Sequence, residues 1–214
     1  MPQITHPVIE EYLTTLRGPR DEVLLEMERL ARERGFPIVG PDVGTLLYIL
    51  TKVSGARRVL ELGSGFGYSA YWFAQALPAY GLVVCTDADQ ANRDQAVAFF
   101  ERGGLAYKMR FEVGNALEIM DATTGHFDII FNDVDKEDYP RVLDKAVAKL
   151  KSGGLFITDN TLWEGRVASR RQDATTRAVV EFNRLAAAHP RLISLNLPLR
   201  DGVTVCLKKD DGAR

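Results

Sequence analysis

Two groups of oxygen-bearing side chains stand at the ends of apolar, strand-like segments in the C-terminal half of the chain. Asp133 ends the segment Phe127–Asp133, and Asp159 and Asn160 follow Leu155–Thr158. If these segments are neighbouring strands of a parallel sheet, their carboxyl ends lie about 4.8 Å apart, so the three side chains could surround one point. Hard oxygen ligands without Cys or His suit Mg²⁺, with Ca²⁺ or Mn²⁺ as alternatives. On the residues alone, solvated acids and helix caps are an equally good interpretation.

A lysine and a tryptophan lie close to these oxygen ligands in the sequence. Lys136 lies one turn after Asp133, where a nearby divalent cation would disfavour the ammonium and lower the lysine pKa toward that of a general base. The alternative, a surface lysine paired with Glu137 or Asp138, is favoured by the residues taken alone. Trp163 is interpreted either as an aromatic wall for a planar substrate or as a residue of the core.

A glycine-rich turn follows the first strand-like segment after residue 56. Gly63, Gly65 and Gly67 have the spacing G-x-G-x-G, and Tyr68 stands where dinucleotide sites carry a small residue. Glu61, which precedes the first glycine, would repel a pyrophosphate but would favour a cationic group. The sulfonium and ammonium groups of S-adenosylmethionine (SAM) fit this description, so the turn together with Glu61 favours SAM over a dinucleotide.

Polar residues at the next two strand ends suit the rest of such a ligand. Leu82–Asp87 ends in an acid about 20 residues past the glycine turn, a position suited to ribose hydroxyls. A cap for the following helix is the alternative for this acid, but Asp89 is the better N-cap candidate. Asn115 is also an N-cap candidate, and Ala116 beside it could line a slot for adenine.

Short apolar segments alternate with longer segments of helical period after residue 56. The predicted strands are Arg57–Glu61, Leu82–Asp87, Met109–Val113, Phe127–Asp133 and Leu155–Thr158. The predicted helices are Tyr68–Leu77, Gln90–Gly103, Ala116–Ala122 and Tyr139–Lys151, the last closed by Gly153 and Gly154. This alternation predicts an α/β fold with a doubly wound, Rossmann-like, mostly parallel sheet.

Both ends of the chain depart from the alternation. After a predicted helix, Thr175–His189, only five residues separate the strands Leu192–Leu197 and Val203–Lys208, which predicts an antiparallel hairpin because a parallel crossover needs a longer connection. The pattern of residues 1–55 predicts two or three helices, at about Val8–Arg17, Asp21–Arg34 and Asp42–Val53. We expect one domain over residues 1–214, with an α/β core at 56–209 and an N-terminal helical cap at 1–55. The cap is interpreted equally well as a lid over the ligand edge or as a cover for the sheet or an oligomer contact.

Composition restricts the class of protein. The 214 residues carry 27 Lys plus Arg and 29 Asp plus Glu, a net charge of −2, which does not favour binding to nucleic acids or anionic membranes. No apolar stretch approaches the roughly 18 residues of a membrane span, and the N-terminus lacks a signal-peptide pattern, so a cytoplasmic location is expected. The two cysteines predict no disulfide framework, and the three scattered histidines show no zinc-ligand spacing.

At these motifs the sequence resembles the class I, SAM-dependent, cation-dependent O-methyltransferases, which include the caffeoyl-CoA O-methyltransferases, their bacterial relatives and, more distantly, catechol O-methyltransferase. The resemblance extends over Gly35–Lys208 and is most specific at Val59–Ala70, Phe127–Tyr139 and Gly153–Val167. It implies a SAM-dependent methyltransferase that acts on a small phenolic substrate, commonly as a homodimer.

The resemblance also implies roles for individual residues. Asp133, Asp159 and Asn160 match the metal ligands, and Lys136 matches the general base. Asp133, Lys136 and Trp163 are then the expected substrate contacts. The expected cofactor contacts, with Asp87 on the ribose and Ser69 on the methionine carboxylate, are Val39, Glu61, Gly63, Ser64, Ser69, Asp87, Ala116 and Asp135.

Departures from the family pattern bear on the acceptor. The extra substrate loop of the plant enzymes is absent and position 164 is Glu, which favours a small catechol over a CoA thioester. Asn132 and Asn115 also differ from the usual residues. Other interpretations remain: methylation of a hydroxylated tRNA uridine by the same site, a nicotinamide-dependent oxidoreductase, and a non-catalytic SAM-binding or scaffold protein.

Overall fold

The computed structural model describes residues 4–210, which form eight α-helices and seven strands. The strands are β1 Arg58–Leu62, β2 Leu82–Asp87, β3 Met109–Val113, β4 Phe127–Asn132, β5 Leu150–Thr158, β6 Leu192–Leu197 and β7 Val203–Lys208. The helices are α1 Pro7–Thr15, α2 Glu22–Arg34, α3 Gly40–Val53, α4 Tyr68–Ala76, α5 Gln90–Arg102, α6 Ala116–Ala122, α7 Tyr139–Lys149 and α8 Ala174–Ala188. Within this range, no helix is both long and apolar enough to cross a membrane.

All seven strands of the described chain join one sheet in the order β3-β2-β1-β4-β5-β7-β6. The first five strands pair in parallel, whereas β7 runs antiparallel to both β5 and β6. The predicted doubly wound sheet with its C-terminal antiparallel hairpin is therefore confirmed. Because the chain reverses from β1–β2–β3 to β4–β5 beside β1, the carboxyl ends of β1, β2, β4 and β5 meet around one crevice.

The sheet is buried on both faces, as the continuous apolar strands predict. Val59 packs on one face with Phe73 of α4, and Leu60 packs on the other with Val142 of α7 and Phe182 of α8. Alternate residues of one strand thus enter different cores because successive side chains point to opposite faces. The result is a rigid central layer that holds the strand ends in fixed register.

Polar caps fix where the helices of this layer begin. The carboxylates of Asp21, Asp89 and Asp173 accept hydrogen bonds from backbone N–H groups in the first turns of α2, α5 and α8. Asn115 Oδ1 does the same for α6, with Leu117 N at 3.0 Å. These contacts confirm Asp89 and Asn115 as N-caps, and they start α5 and α6 directly after the ends of β2 and β3.

The two glycines at 153–154 do not close a helix, so that prediction was wrong. Helix α7 ends at Lys149, and β5 begins at the next residue with both glycines inside it. The β4–β5 register shifts between Phe127 and Ile129, so β5 carries extra residues there, and Gly153 adopts a φ of +72°. Glycine tolerates this left-handed backbone, which occurs both at bulges and at helix ends. A glycine pair in the sequence therefore does not distinguish the two.

The N-terminal helices divide into two roles. Helices α2 and α3 pack on α4, and α2 also reaches α5, so both cover the sheet. Helix α1 buries none of its residues. Arg17 just beyond it pairs with Asp42 of α3 at 2.7 Å, and the Thr5 hydroxyl before it donates to Pro198 O. Helices α2 and α3 therefore serve as a cover. For α1, the lid and oligomer-contact interpretations both stay predictions, as does the boundary at residue 55.

The glycine turn after β1 touches the end of β4. Gly63 has a φ of +83°, and a Cβ placed there would lie 2.8 Å from the carbonyl carbon of Asp133 and closer still to its oxygen. Only a residue without a side chain allows the two backbones to approach this closely. The turn predicted to bind SAM and the strand end predicted to bind the cation are thus in direct contact.

We predict that Gly63→Ala destabilises the fold by about 2–5 kcal/mol, because it combines a left-handed backbone with a steric clash against Asp133. The matched control is Gly55→Ala: Gly55 has a φ of +63° but no heavy atom within 4 Å of the Cβ position. That variant should lose only about 1–2 kcal/mol. Urea unfolding of both variants measures the difference, and equal losses would show that the contact with Asp133 is not restrictive.

Candidate active site

The crevice at the carboxyl ends of β1, β2, β4 and β5 holds a cavity of about 720 Å³. It is bounded by the glycine turn, the ends of β2, β4 and β5, and the segment before α3. Every residue predicted for the site lines this cavity except Glu61. The predicted residues in its wall are Val39, Gly63, Ser64, Ser69, Asp87, Ala116, Asp133, Asp135, Lys136, Asp159, Asn160 and Trp163.

Asp87 holds the glycine turn in place. Its Oδ2 accepts a hydrogen bond from Gly65 N at 2.9 Å, and its Oδ1 accepts from Asp89 N at 2.8 Å and from the side chain of Asn92 at 3.0 Å. Helix α5 is capped by Asp89 instead, so the capping interpretation of Asp87 is not what the structure shows. The ribose assignment for this half-buried carboxylate stays a prediction.

Glu61 is fully buried, and neither of its oxygens makes a hydrogen bond of normal geometry within the described residues. The pKa of Glu61 is raised to about 7, chiefly by burial. The nearby hydroxyls of Ser69 and Ser64 lower this pKa, and the charges of Asp133 and Asp87 add to the rise. A buried carboxylate without a partner costs free energy. The position therefore suits a ligand that brings a positive charge or a hydrogen-bond donor, as SAM would.

The ends of β4 and β5 bring two further carboxylates together. Asn132 pairs with Thr158 in the register, and Asp159 N donates to Asn132 O at 3.2 Å, so Asp133 and Asp159 leave their strands side by side. Burial raises the pKa of Asp159 to about 7, and the charge of Asp133 adds to the shift. Burial also raises the pKa of Asp133, although Lys136 opposes this. Asp159 Oδ1 has no partner among the described residues.

Lys136 belongs to this site and is not the surface lysine that the residues alone favour. Its Nζ lies 3.0 Å from Asp133 Oδ1, and its side chain is only 13% exposed. The ammonium also lies 5.8 Å from the centre of the Trp163 ring. Glu137 and Asp138, the alternative partners, instead contact Thr175 and Arg141.

Asn160 adopts a left-handed backbone with φ +54° directly after Asp159. Its side-chain Nδ2 donates to Asp201 Oδ2 at 3.3 Å. Asp201 was not among the predicted site residues, although it lines the same cavity. Asp201 lies in the turn between β6 and β7, far along the chain from Asn160. The short link that predicts this hairpin was the one sequence signal that pointed to the turn.

These residues fit a hard divalent cation. Mg²⁺, Mn²⁺ and Ca²⁺ accept carboxylate and amide oxygens as ligands. Asp133 supplies a carboxylate that pairs with Lys136, and Asp159 supplies one whose Oδ1 has no partner among the described residues. Across residues 4–210, no group of three or more His, Cys, Asp or Glu side chains converges as a metal site. The candidate site therefore depends on the mixed set of Asp133, Asp159 and Asn160, with the amide completing it.

A second cavity, of about 1130 Å³, adjoins the first at Asn160, Glu164 and Asp201. Helix α1 forms one wall through Leu13 and Thr14. An acceptor held near the carboxylates would have room to extend beneath α1, as the lid interpretation requires.

Comparison with known proteins agrees with this geometry. The O-methyltransferase family pattern matches residues 20–209. Caffeoyl-CoA O-methyltransferase 2 of Petunia hybrida is 33% identical over 211 residues, which cover 91% of this chain and 87% of that protein. The O-methyltransferase of Bacillus cereus in complex with SAH superposes with a TM-score of 0.85 at 29% identity, over 94% of this chain and 97% of that one.

A third relative is TomG of Streptomyces achromogenes, an O-methyltransferase of tomaymycin synthesis in complex with SAM. It has a TM-score of 0.85 at 28% identity and covers 98% of this chain and 100% of its own. A family match over nearly the whole chain, together with the glycine turn and Glu61 at the switch point of the sheet, agrees with the resemblance seen in the sequence. The chain therefore belongs to the O-methyltransferase family that includes the caffeoyl-CoA O-methyltransferases, and it is a SAM-dependent O-methyltransferase.

Proposed function

We propose that the enzyme transfers the SAM methyl group to a hydroxyl of a catechol-type vicinal diphenol held by a divalent cation, Mg²⁺ in the first instance. The observation that carries this proposal is the juxtaposition of Asp133 with Asp159, Lys136 and the glycine turn at Gly63. The candidate cation ligands, the base and the SAM turn thus lie within one crevice. The Petunia relative is named for caffeoyl-CoA, and the ring of a caffeoyl group is itself a vicinal diphenol.

On the SAM side, we assign binding to the residues around the glycine turn. Glu61 faces the positive charge of SAM, and Ser69 binds its carboxylate. Asp87 binds the ribose hydroxyls. The other proposed contacts, with Ala116 near the adenine, are Val39, Gly63, Ser64, Ala116 and Asp135.

On the acceptor side, a phenol has a pKa near 10, so few molecules are ionised at neutral pH. A cation bound by Asp133, Asp159 and Asn160 would supply the positive charge that stabilises the phenolate. Lys136 accepts the hydroxyl proton at Nζ as a neutral amine, a form that a cation bound beside it would favour. Its Nζ lies 3.0 Å from Asp133 Oδ1. Trp163 orients the planar ring. Holding acceptor and donor in line is the other main source of rate.

The homodimer implied by the resemblance stays a prediction, as does the cytoplasmic location. We expect a second copy to cover some of the exposed apolar side chains. They include Tyr12 and Leu16 at α1 and Ile193 and Leu195 on the edge strand β6.

Removal of divalent cations should abolish methyl transfer to a catechol, by on the order of 10²-fold or more, because the hydroxyl loses its charge stabilisation. Asp159→Asn should have the same effect. The measurement is methyl transfer from labelled SAM before and after EDTA, followed by Mg²⁺ readdition. The control is Asp144→Asn, an exposed carboxylate on α7. Full activity after complete metal removal would refute the proposed mechanism, and a hydroxylated uridine in the acceptor panel tests the tRNA alternative.

Lys136→Met should lower kcat by about 10²–10⁴-fold, because the proton acceptor is lost. Mn²⁺ and SAM should still bind, since Lys136 is not among the proposed ligands. Activity should recover partly as the pH approaches the phenol pKa, where the acceptor ionises by itself. The checks are a pH–rate profile and calorimetric titration with Mn²⁺. Loss of Mn²⁺ binding equal to the loss of kcat would show that Lys136 supports the cation site and is not the base.

Glu61→Gln should change how stability depends on pH. The folded pKa of Glu61 is about 7, above its ordinary value of 4.5, so folding favours the protonated carboxyl. Its stabilising contribution is present below pH 4.5 and is lost as the pH rises through 7. The ligand-free wild type should therefore lose up to about 3 kcal/mol relative to Glu61→Gln over this window.

Urea unfolding of both proteins at a series of pH values measures this difference. The contribution of Asp159 is common to both proteins and cancels. In the same variants, SAM affinity should rise with pH for the wild type, as Glu61 ionises, and become weaker and flatter for Glu61→Gln. Parallel pH profiles would show that Glu61 carries no uncompensated charge.

A further inference from the structure

The backbone is strained at one corner of the site. Four non-glycine residues in the described part of the chain have positive φ, namely Asn160 at +54°, Trp163 at +46°, Glu164 at +52° and Arg200 at +50°. All four lie where the segment after β5 meets the turn between β6 and β7. Each such residue costs about 1–2 kcal/mol, and such conformations persist only where the surroundings hold them.

Asp201 provides much of that hold. Its backbone oxygen accepts a hydrogen bond from Leu162 N at 2.9 Å, and its Oδ1 accepts from the backbone N–H of Glu164. Its Oδ2 accepts from Asn160 Nδ2 at 3.3 Å. One residue of the hairpin turn thus contacts the strained segment at three points, on both sides of Trp163.

The contact with Asn160 determines which amide atom is free. A carboxylate only accepts hydrogen bonds, so the side chain of Asp201 requires the amide nitrogen of Asn160 to face it. The amide oxygen, the atom that can bind a hard cation, is left without this contact. Asp201 therefore orients the Asn160 side chain.

The same turn also reaches the SAM side of the cavity. The guanidinium of Arg200 donates to Ile38 O at 3.1 Å and to Val39 O, directly before α3. The turn behind it is closely packed, because a Cβ on Gly202 would lie 2.6 Å from Leu162 N. The Arg200–Gly202 turn is thus a connection between the two halves of the site.

We propose that Asp201 is a positioning residue that fixes the Asn160 amide for the cation and holds Trp163 in place as the acceptor wall. The inference has two parts. The first, the cation arm, is the orientation of Asn160 and rests on the proposed function. The second, the Trp163 arm, is the hold on Trp163 and rests on the backbone geometry alone. Carboxylates behind metal ligands commonly change metal affinity by 10–100-fold when they are replaced.

The cation arm is tested with Mn²⁺ as the probe, by electron paramagnetic resonance or calorimetry without SAM or acceptor. Asp201→Ala should weaken Mn²⁺ binding by about 10–100-fold, and Asp201→Asn should weaken it less, because its one side-chain oxygen can still serve one donor. The matched control is Glu164→Gln, which removes the same charge from the same corner. The Glu164 side chain contacts Arg166, and its backbone N–H to Asp201 is unchanged. This control should stay within about twofold of the wild type.

The second arm does not depend on a metal. The chain has two tryptophans, so a Trp72→Phe background leaves Trp163 as the emitting residue. In that background Asp201→Ala should shift the Trp163 emission to longer wavelength, whereas Glu164→Gln should not. Where Asp201→Ala does not fold, Asp201→Asn carries both measurements.

Mn²⁺ affinity of Asp201→Ala within twofold of the wild type, or an equal loss in Glu164→Gln, would overturn the positioning role toward the cation. Unchanged Trp163 emission would overturn the hold on the turn. If the wild type itself binds no Mn²⁺, the proposed function and the cation arm fail together. The emission result then still decides whether Asp201 positions Trp163.

Discussion

The close contact between the glycine turn after β1 and the end of β4 is the constraint on which the site depends. Gly63 has no side chain, so the backbone of Asp133 lies directly against the turn. The sheet register then places Asp159 beside Asp133, and Glu61 lies buried behind the turn. One crevice therefore holds the carboxylate expected to face SAM, Glu61, and the two expected to bind a cation, Asp133 and Asp159.

This arrangement concentrates negative charge that the fold itself does not compensate. The pKa values of Glu61 and Asp159 are both raised to about 7, chiefly by burial, and Lys136 pairs with Asp133 only. The folded protein is expected to be less stable with this site empty than with it filled. A positively charged ligand offsets the free energy that burial of the carboxylates costs. Part of the binding free energy of the donor, and of the proposed cation, would thus come from compensation of charge that folding has buried.

The acceptor region is built differently, from loops that are distant in sequence. The strained segment from Asn160 to Glu164 is held by the hairpin turn at Asp201, and α1 covers the cavity beside it without burying its own residues. The sheet therefore fixes the residues proposed to react, while the wall proposed to face the acceptor depends on a few hydrogen bonds between loops. Differences in acceptor among members of this fold are expected to arise in such loops.

Helices, strands and the polar residues at their ends were predictable from the sequence, because the period of apolar residues, the capping residues and the length of a link are local signals. Asp89 and Asn115 cap helices as predicted, and the five-residue link makes a hairpin. Three features follow from the folded arrangement and not from local sequence: Lys136 pairs with Asp133, the glycines at 153–154 lie in a bulge, and Asp201 contacts Asn160. These three features depend on which strands pair and in what register. Contacts between segments that are distant in the chain produce no local pattern in the sequence from which they could be predicted.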